Sequence, residues 1–515
     1  MFRLLLKNPI LSISGVCLLL FLTAGIFFNG NFINVCTAHY IILSTLLIFC
    51  SNTSLNKIKM LALALVFYLC FMLFYEKDFL LLCGEIVLLT FVFLEKKHFV
   101  SAHLFFIIAL SFLLHLFYIE QTLIDIRQHD LGGVIGYMME ITKNGFNFWN
   151  FNPWNMYYFF HQPLHFIIAG YLYLFQMSLW SSSILTQEGL QYLSLFYVTL
   201  SVLFATKIFY ELNFRKYLLY SLVILFAFNP TLFLFSGFVS DDTPIFFWTI
   251  LFLYQLIKWH KYQKTSSIVY AALCFGFGTL TKLSILTIVP AVTILFFYEF
   301  FTSDNKKKIL YDLSIFTLVA VPLSLLWIAR NHILFDMQFY NIPDTSPSGQ
   351  NFKYLTFFDR IGDFSQFFSP FINAPQVADA NMWLALIKTE LFGEWNLSLL
   401  NSVAFIPAFL LYFMNITIKL LALYGSFIIS YNFILNRRNI LPLFFVLIYL
   451  ILWGYSFNYS IKYPFVCSSD FRLFAALIVP ELIILQTVFK NKGCYLMWGS
   501  FVYAALSAFI YVAIV

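Results

Sequence analysis

The chain has 515 residues, of which 61% are hydrophobic and only 10% charged, against roughly 45–50% and 25% in soluble domains. That composition cannot cover a surface in contact with water, so it excludes a soluble globular domain and places the chain in a bilayer. The formal charge of +6, from 30 Lys and Arg against 24 Asp and Glu, sits in short clusters between apolar runs and reports topology, not nucleic-acid binding.

Apolar runs of near-spanning length predict about 15 transmembrane helices in an all-α polytopic membrane protein. They lie at 9–28, 37–51, 58–75, 78–94, 98–118, 188–206, 216–236, 243–258, 266–283, 284–302, 309–329, 411–434, 440–456, 472–488 and 494–514. The first run follows Arg3 and Lys7, shows no clear small-residue cleavage site and reads as an anchor. The 8 cysteines lie mostly within apolar runs without a CxxC pair, as small apolar fillers do. With the N-terminus inside, the clusters Lys57/Lys59, Lys96/Lys97, Lys207/Arg215/Lys216, Lys258/Lys261/Lys264, Lys306/Lys307/Lys308, Arg437/Arg438 and Lys490/Lys492 all fall in the cytoplasm. This requires the apolar stretch 161–177 to lie along the outer interface without crossing. Segments 119–187, 330–410 and 457–471 are then outside and hold most of the polar residues, as lids over a cavity.

The first outer patch, Asp125-Ile126-Arg127-Gln128-His129-Asp130, gathers two acids, a guanidinium and an imidazole. A carboxylate there can take a proton from an acceptor hydroxyl, and an arginine can hold a phosphate; a plain helix cap at Asp130 is the other reading. His161-Gln162-Pro163-Leu164-His165 opens the interfacial helix, with proline suited to a first turn. Its two histidines have no third or fourth ligand at recognisable spacing, so no metal site and no cofactor is assigned. Asp241-Asp242 and Lys282 stand at the outer ends of spans, where a lysine either snorkels to headgroups or meets an anion. Arg330-Asn331, the stretch Lys388 to Trp395 with Glu390 and Glu394, and Asp470-Phe471-Arg472 are also outside, and each alone is an ordinary solvated helix end.

These motifs carry a resemblance. The chain looks like the membrane glycosyltransferases of the type C fold, especially the protein O-mannosyltransferases and their relatives, the aminoarabinose transferases of lipid A. Asp130 stands where that family has the first acid of an Asp-Glu pair, His161-Gln162-Pro163-Leu164 resembles its His/Lys-Pro-Pro-Leu motif, and Arg472-Leu473 its late Arg-Tyr motif. Leu131, Gln162 and Leu473 depart from the pattern, and Leu131 leaves metal dependence open. The resemblance implies a catalytic core at 98–490 with its outer loops, preceded by extra helices in 1–97 and followed by a helix in 491–515.

It further implies an inverting transferase, hexosyl or pentosyl, that moves a sugar from a polyprenyl-phosphate carrier to a glycan, lipid or protein acceptor on the non-cytoplasmic face. The membrane expected is a bacterial plasma membrane rather than an endoplasmic reticulum. Asp130 would be the general base, with Asp125 the alternative. Arg330, Lys282 and Arg472 would hold the donor phosphate, and Arg127, His129, His161, Asp241 and Asp242 would position donor or acceptor. A transporter or flippase of lipid-linked sugars is the rival reading. It expects ionisable groups at the midplane and internal repeats, whereas these polar groups cluster at one face and no repeat is evident.

Overall fold

The computed structural model describes residues 102–145, 149–155, 157–179, 187–214, 216–337, 352, 355–372, 379–395, 397, 404–436, 439–464 and 466–514. Every regular element among them is helical. In chain order these are α1 (Ala102–Gln121), α2 (Leu131–Lys143), α3 (Leu164–Leu179), α4 (Gln191–Glu211), α5 (Lys216–Ala227), α6 (Pro230–Gly237), α7 (Asp242–Tyr262) and α8 (Thr265–Thr281). The remainder are α9 (Val289–Thr302), α10 (Lys306–Phe335), α11 (Phe357–Gly362), α12 (Met382–Phe392), α13 (Phe405–Asn436), α14 (Ile440–Lys462), α15 (Ile478–Val488) and α16 (Gly493–Ala513). Short 3₁₀ turns cover Tyr157–Phe160, Leu283–Ile288, Val466–Ser469 and Phe471–Leu477. The chain forms two compact units, Met1–Gln121 and Thr122–Val515. Of the first, only α1 is described, and everything below concerns the second.

Seven helical stretches among the described residues are long and apolar enough to cross a bilayer: Gln191–Glu211, Leu283–Thr302, Lys306–Phe335, Phe405–Leu435, Ile440–Lys462, Cys467–Val488 and Gly493–Ala513. The chain is a multi-pass integral membrane protein. Tyr217–Ala227 and Pro230–Gly237 add an eighth span if they are counted as one, bent by 43°. The bend has a local cause, because Pro230 removes a helical N–H and the Asn229 side chain caps the new helix by accepting from Thr231 N at 2.9 Å. The expected spans at 9–28, 37–51, 58–75 and 78–94 lie outside the described residues. Those at 98–118 and 266–283 coincide with shorter apolar helices, Ile107–Gln121 and Thr265–Thr281.

The stretch 161–177, expected to lie along the interface, forms α3, an apolar helix too short to be counted among the spans. It packs on α2, whose buried residues Val134, Tyr137, Met138 and Ile141 recur at the three- and four-residue spacing of one helical face. Tyr137 meets Phe166 of α3 at 4.4 Å and Phe159 at 5.1 Å between ring centroids, so the aromatic stretch before α3 folds into a shared apolar platform.

A second packing feature lies in the helical core. Lys419 of α13 is buried 2.6 Å from both Glu390 of α12 and Glu481 of α15. Asn415 donates to Glu390 at 2.9 Å, and Asn229 donates to it at 3.2 Å from the α5–α6 break. Charges this deep are tolerable only when paired and hydrogen-bonded. The Lys419 ammonium also lies 5.3 Å from the Phe471 ring centre, and Thr389 beside Glu390 accepts the Phe471 N–H at 2.9 Å. Helix α12 thereby fixes the 3₁₀ arm that carries Asp470 and Arg472.

Candidate active site

Residues far apart in the chain meet where α2 begins, where α7 begins, and where α8 gives way to the Leu283–Ile288 turn. Lys282 ends α8 in extended backbone, with its ammonium 3.0 Å from Asp241 and 2.6 Å from Asp242. Arg472 reaches Asp242 from the other side at 3.1 Å, lies 3.3 Å from Asp470 and is 3.9 Å from Asp130. His161, at the mouth of α3, holds Asp241 at 3.0 Å. His129 lies 3.2 Å from Asp470 and 3.8 Å from Glu394.

Asp130 takes the N-cap position of α2 in left-handed backbone, φ 56°, but its side chain makes no capping bond. The helix-cap reading therefore holds for its backbone position and not for its side chain. Its carboxylate is 56% exposed and turned to Arg472 and to Tyr158, whose hydroxyl hydrogen-bonds to it. Tyr158 stacks on the His161 ring at 4.9 Å. Gly133 makes this approach possible, since a Cβ there would lie 2.2 Å from the Tyr158 ring. Gln128 locks the loop to the α6–α7 connection by donating to Gly237 O at 2.6 Å and accepting from Val239 N at 2.9 Å. That two-point clamp holds His129 and Asp130 beside Asp241 and Asp242.

Electrostatics follow from this crowding. Burial alone would raise the Asp241 carboxyl, but Lys282 and His161 hold it well below the usual carboxylate range. Burial pushes Glu394 up to about 8, and the neighbouring Asp470 charge adds to the shift. Burial, followed by the charges of Arg472 and Lys282, takes His129 well below the ordinary histidine value. Burial also raises the Tyr158 hydroxyl, with the Asp130 and Asp241 charges acting in the same direction.

Of the residues singled out in the sequence, Asp130, His129, His161, Asp241, Asp242, Lys282 and Arg472 are thus brought together. Arg330 is engaged elsewhere. It donates to the carbonyls of Trp149 (2.8 Å) and Phe151 and stacks on Trp327 and Phe335 at 4.3 and 4.5 Å, fastening the 149–155 loop. Arg127 is buried and donates to Thr122 at 3.1 Å, and Asp125 is exposed on the turn. The sequence reading gave no site role to Glu394, Asp470, Tyr158 or Gln128. A cleft beside the cluster is lined by Asp242 and Arg472 together with Ile245, Phe246, Leu452 and Phe474, so fixed charge adjoins an apolar wall.

Residues 159–337 match the family model described as dolichyl-phosphate-mannose-protein mannosyltransferase. The matched stretch is about a third of the chain and shows a similarity to that family. The match agrees with the resemblance carried by the motifs. The matched segment includes His161, Asp241, Asp242, Lys282 and Arg330, whereas Asp130, Glu394, Asp470 and Arg472 lie outside it and join it through geometry alone. No curated protein matches the chain.

Proposed function

We propose that the chain is an inverting glycosyltransferase that moves a sugar from a polyprenyl phosphate to an acceptor hydroxyl on the non-cytoplasmic face. One observation carries the reading: an exposed carboxylate, Asp130, stands at the rim of a partly buried Lys282 and Arg472 pair that adjoins a cleft of mixed polar and apolar lining. Asp130 accepts the acceptor proton while that oxygen attacks the anomeric carbon from the face opposite the leaving group. The new C–O bond forms, the bond from the sugar to the phosphate breaks, and the charge left on the lipid phosphate is met by Lys282 and Arg472. His161 and Tyr158 hold the frame around Asp241 and Asp130. Arg330, which donates to the carbonyls of Trp149 and Phe151 and to Asn331 Oδ1, serves to anchor a loop.

Helix α7 supports the orientation. Its 21 residues run for about 31 Å, although this helix, expected as a span at 243–258, is not among the seven stretches apolar enough to be counted as one. It starts at Asp242 in the site and ends among Lys258, Lys261 and Lys264, so the site lies at the end opposite the basic residues that mark the cytoplasm. The test is to add the purified chain to membranes of its own source with a labelled polyprenyl phosphate mannose. Transfer of label out of the lipid fraction, with inversion at the anomeric carbon, is expected. Retention of the anomeric configuration would remove the single-displacement mechanism, and no use of any polyprenyl-phosphate sugar would remove the function.

A further inference from the structure

The site contains more negative charge than its proposed task explains. Among the described residues, five carboxyl groups, Asp130, Asp241, Asp242, Glu394 and Asp470, gather around two permanent cations, Lys282 and Arg472, and the crowding is relieved in part by the raised Glu394 carboxyl. An incoming lipid phosphate adds to the excess, and both cations already have acidic partners. Like charges this close and this poorly solvated repel strongly.

We propose that His129, Glu394 and Asp470 bind one divalent transition-metal ion of the Mn²⁺ or Zn²⁺ kind. One ligand atom from each of the three lies within 4.8 Å of the other two. His129 Nε2 and Asp470 Oδ2 are 3.2 Å apart. Two bonds of about 2.1 Å to a shared ion span that distance at an angle near 100°, between the tetrahedral and octahedral values. A second observation points to a ligand. His129 Nε2, Asp470 Oδ2 and Glu394 Oε1 are all buried and lack a hydrogen-bond partner. Asp470 is only 2% exposed. The nearby Arg472 Nε, at 3.3 Å from Asp470 Oδ2, is itself without a hydrogen-bonding partner, so the contact is an ion pair out of hydrogen-bond alignment.

The three donors come from separate elements, each held in place. The His129 ring is set between Phe238, edge-on at 5.5 Å, and Trp395 at 4.8 Å, which fixes its plane. Gly393, at φ 61°, makes the turn that presents Glu394, and the Thr389 contacts fix the arm bearing Asp470. One imidazole nitrogen with two carboxylate oxygens suits a borderline dication, and three protein ligands leave coordination positions for water or a phosphate oxygen. The ion's two positive charges would offset the two carboxylates that bind it.

The inference goes beyond the transferase reading and is tested without donor, so the failure of one is distinguishable from the failure of the other. The full chain, purified in detergent and stripped with EDTA, is loaded separately with Mn²⁺ and Zn²⁺, desalted, and its metal content measured. About one ion per chain is expected to remain. Bound Mn²⁺ should show ¹⁴N modulation in its electron spin echo from the His129 ring. Glu394→Gln and His129→Gln should each weaken binding by at least about tenfold, and His129→Gln should abolish the modulation. Retention of no metal by the unmodified protein, or Mn²⁺ bound without nitrogen modulation, overturns the proposal even if both variants fail to fold. Unchanged affinity in folded forms of both variants overturns it equally.

Discussion

Replacing Asp130 with asparagine isolates proton acceptance from everything else the residue does. The amide keeps the size of the carboxylate, and asparagine tolerates the left-handed backbone at φ 56°. No capping bond is lost, because the side chain makes none. The ion pair to Arg472 is long, at 3.9 Å, and Asp130 is 56% exposed, so its loss costs less than about 1 kcal/mol of stability. Positioned general-base catalysis contributes roughly 10²–10⁴-fold, equivalent to about 2.7–5.4 kcal/mol of barrier. Asp130→Asn should therefore melt close to the parent protein, bind donor with similar affinity and transfer sugar at least about 10²-fold more slowly. The assay follows labelled sugar leaving a polyprenyl phosphate in membranes that supply their own acceptor. Asp125→Asn, on an exposed turn position, is the control and should be near normal. Full activity in Asp130→Asn would refute the base assignment, and loss of activity in Asp125→Asn alone would transfer the role to Asp125.

Four further outcomes follow from the packing around the site. Gly133→Ala drives a methyl into the Tyr158 ring at 2.2 Å and should cost about 1–3 kcal/mol and slow transfer. Unchanged melting and turnover would mean that Tyr158 moves freely and does not support Asp130. Gln128→Ala removes both hydrogen bonds of the clamp to Gly237 and Val239 and should lower stability by about 1–3 kcal/mol; a melting temperature equal to the parent's would show that the clamp is not needed. Lys282→Ala should weaken donor binding, and it should also destabilise the fold by about 3–5 kcal/mol because the buried Asp241 and Asp242 lose their partly buried cation. Arg330→Ala should leave donor affinity intact while freeing the 149–155 loop, and a selective loss of donor affinity in that variant would return Arg330 to the phosphate site.

What could be read from the sequence was the placement of charges at the ends of apolar runs. Asp241, Asp242, Lys282 and Arg472 stood out because ionisable residues next to long apolar helices are rare and costly. The structure gathers them with Asp130, His129 and His161. Arg330 has the same sequence signature, yet it turns to backbone carbonyls, a difference that no local pattern encodes. Glu394 and Asp470 were visible as charges, but each looked like an ordinary helix end until tertiary packing set His129 between them. Tyr158 was hidden in a stretch so rich in aromatics that its neighbours Phe159 and Phe160 looked equivalent. Only the gap above Gly133 distinguishes it. The bend at Asn229-Pro230 left 216–236 reading as one straight span.

The buried contact of Lys419 with Glu390 and Glu481 has a consequence for how the protein is made. Glu390 emerges from the ribosome before Lys419, and Glu481 only near the end of the chain, as does Arg472, the late partner of Asp242. During synthesis the acids at 241 and 242 have Lys282 but must wait for Arg472 while several spans are still to be inserted. Closure of the site therefore waits until residue 472 has been made, and a chain truncated before that residue lacks both the arm and the charge balance of the site. Destabilised variants of α13 or α15 should then accumulate as inserted but incompletely assembled chains, open to quality-control proteolysis at the loops the arm would have covered.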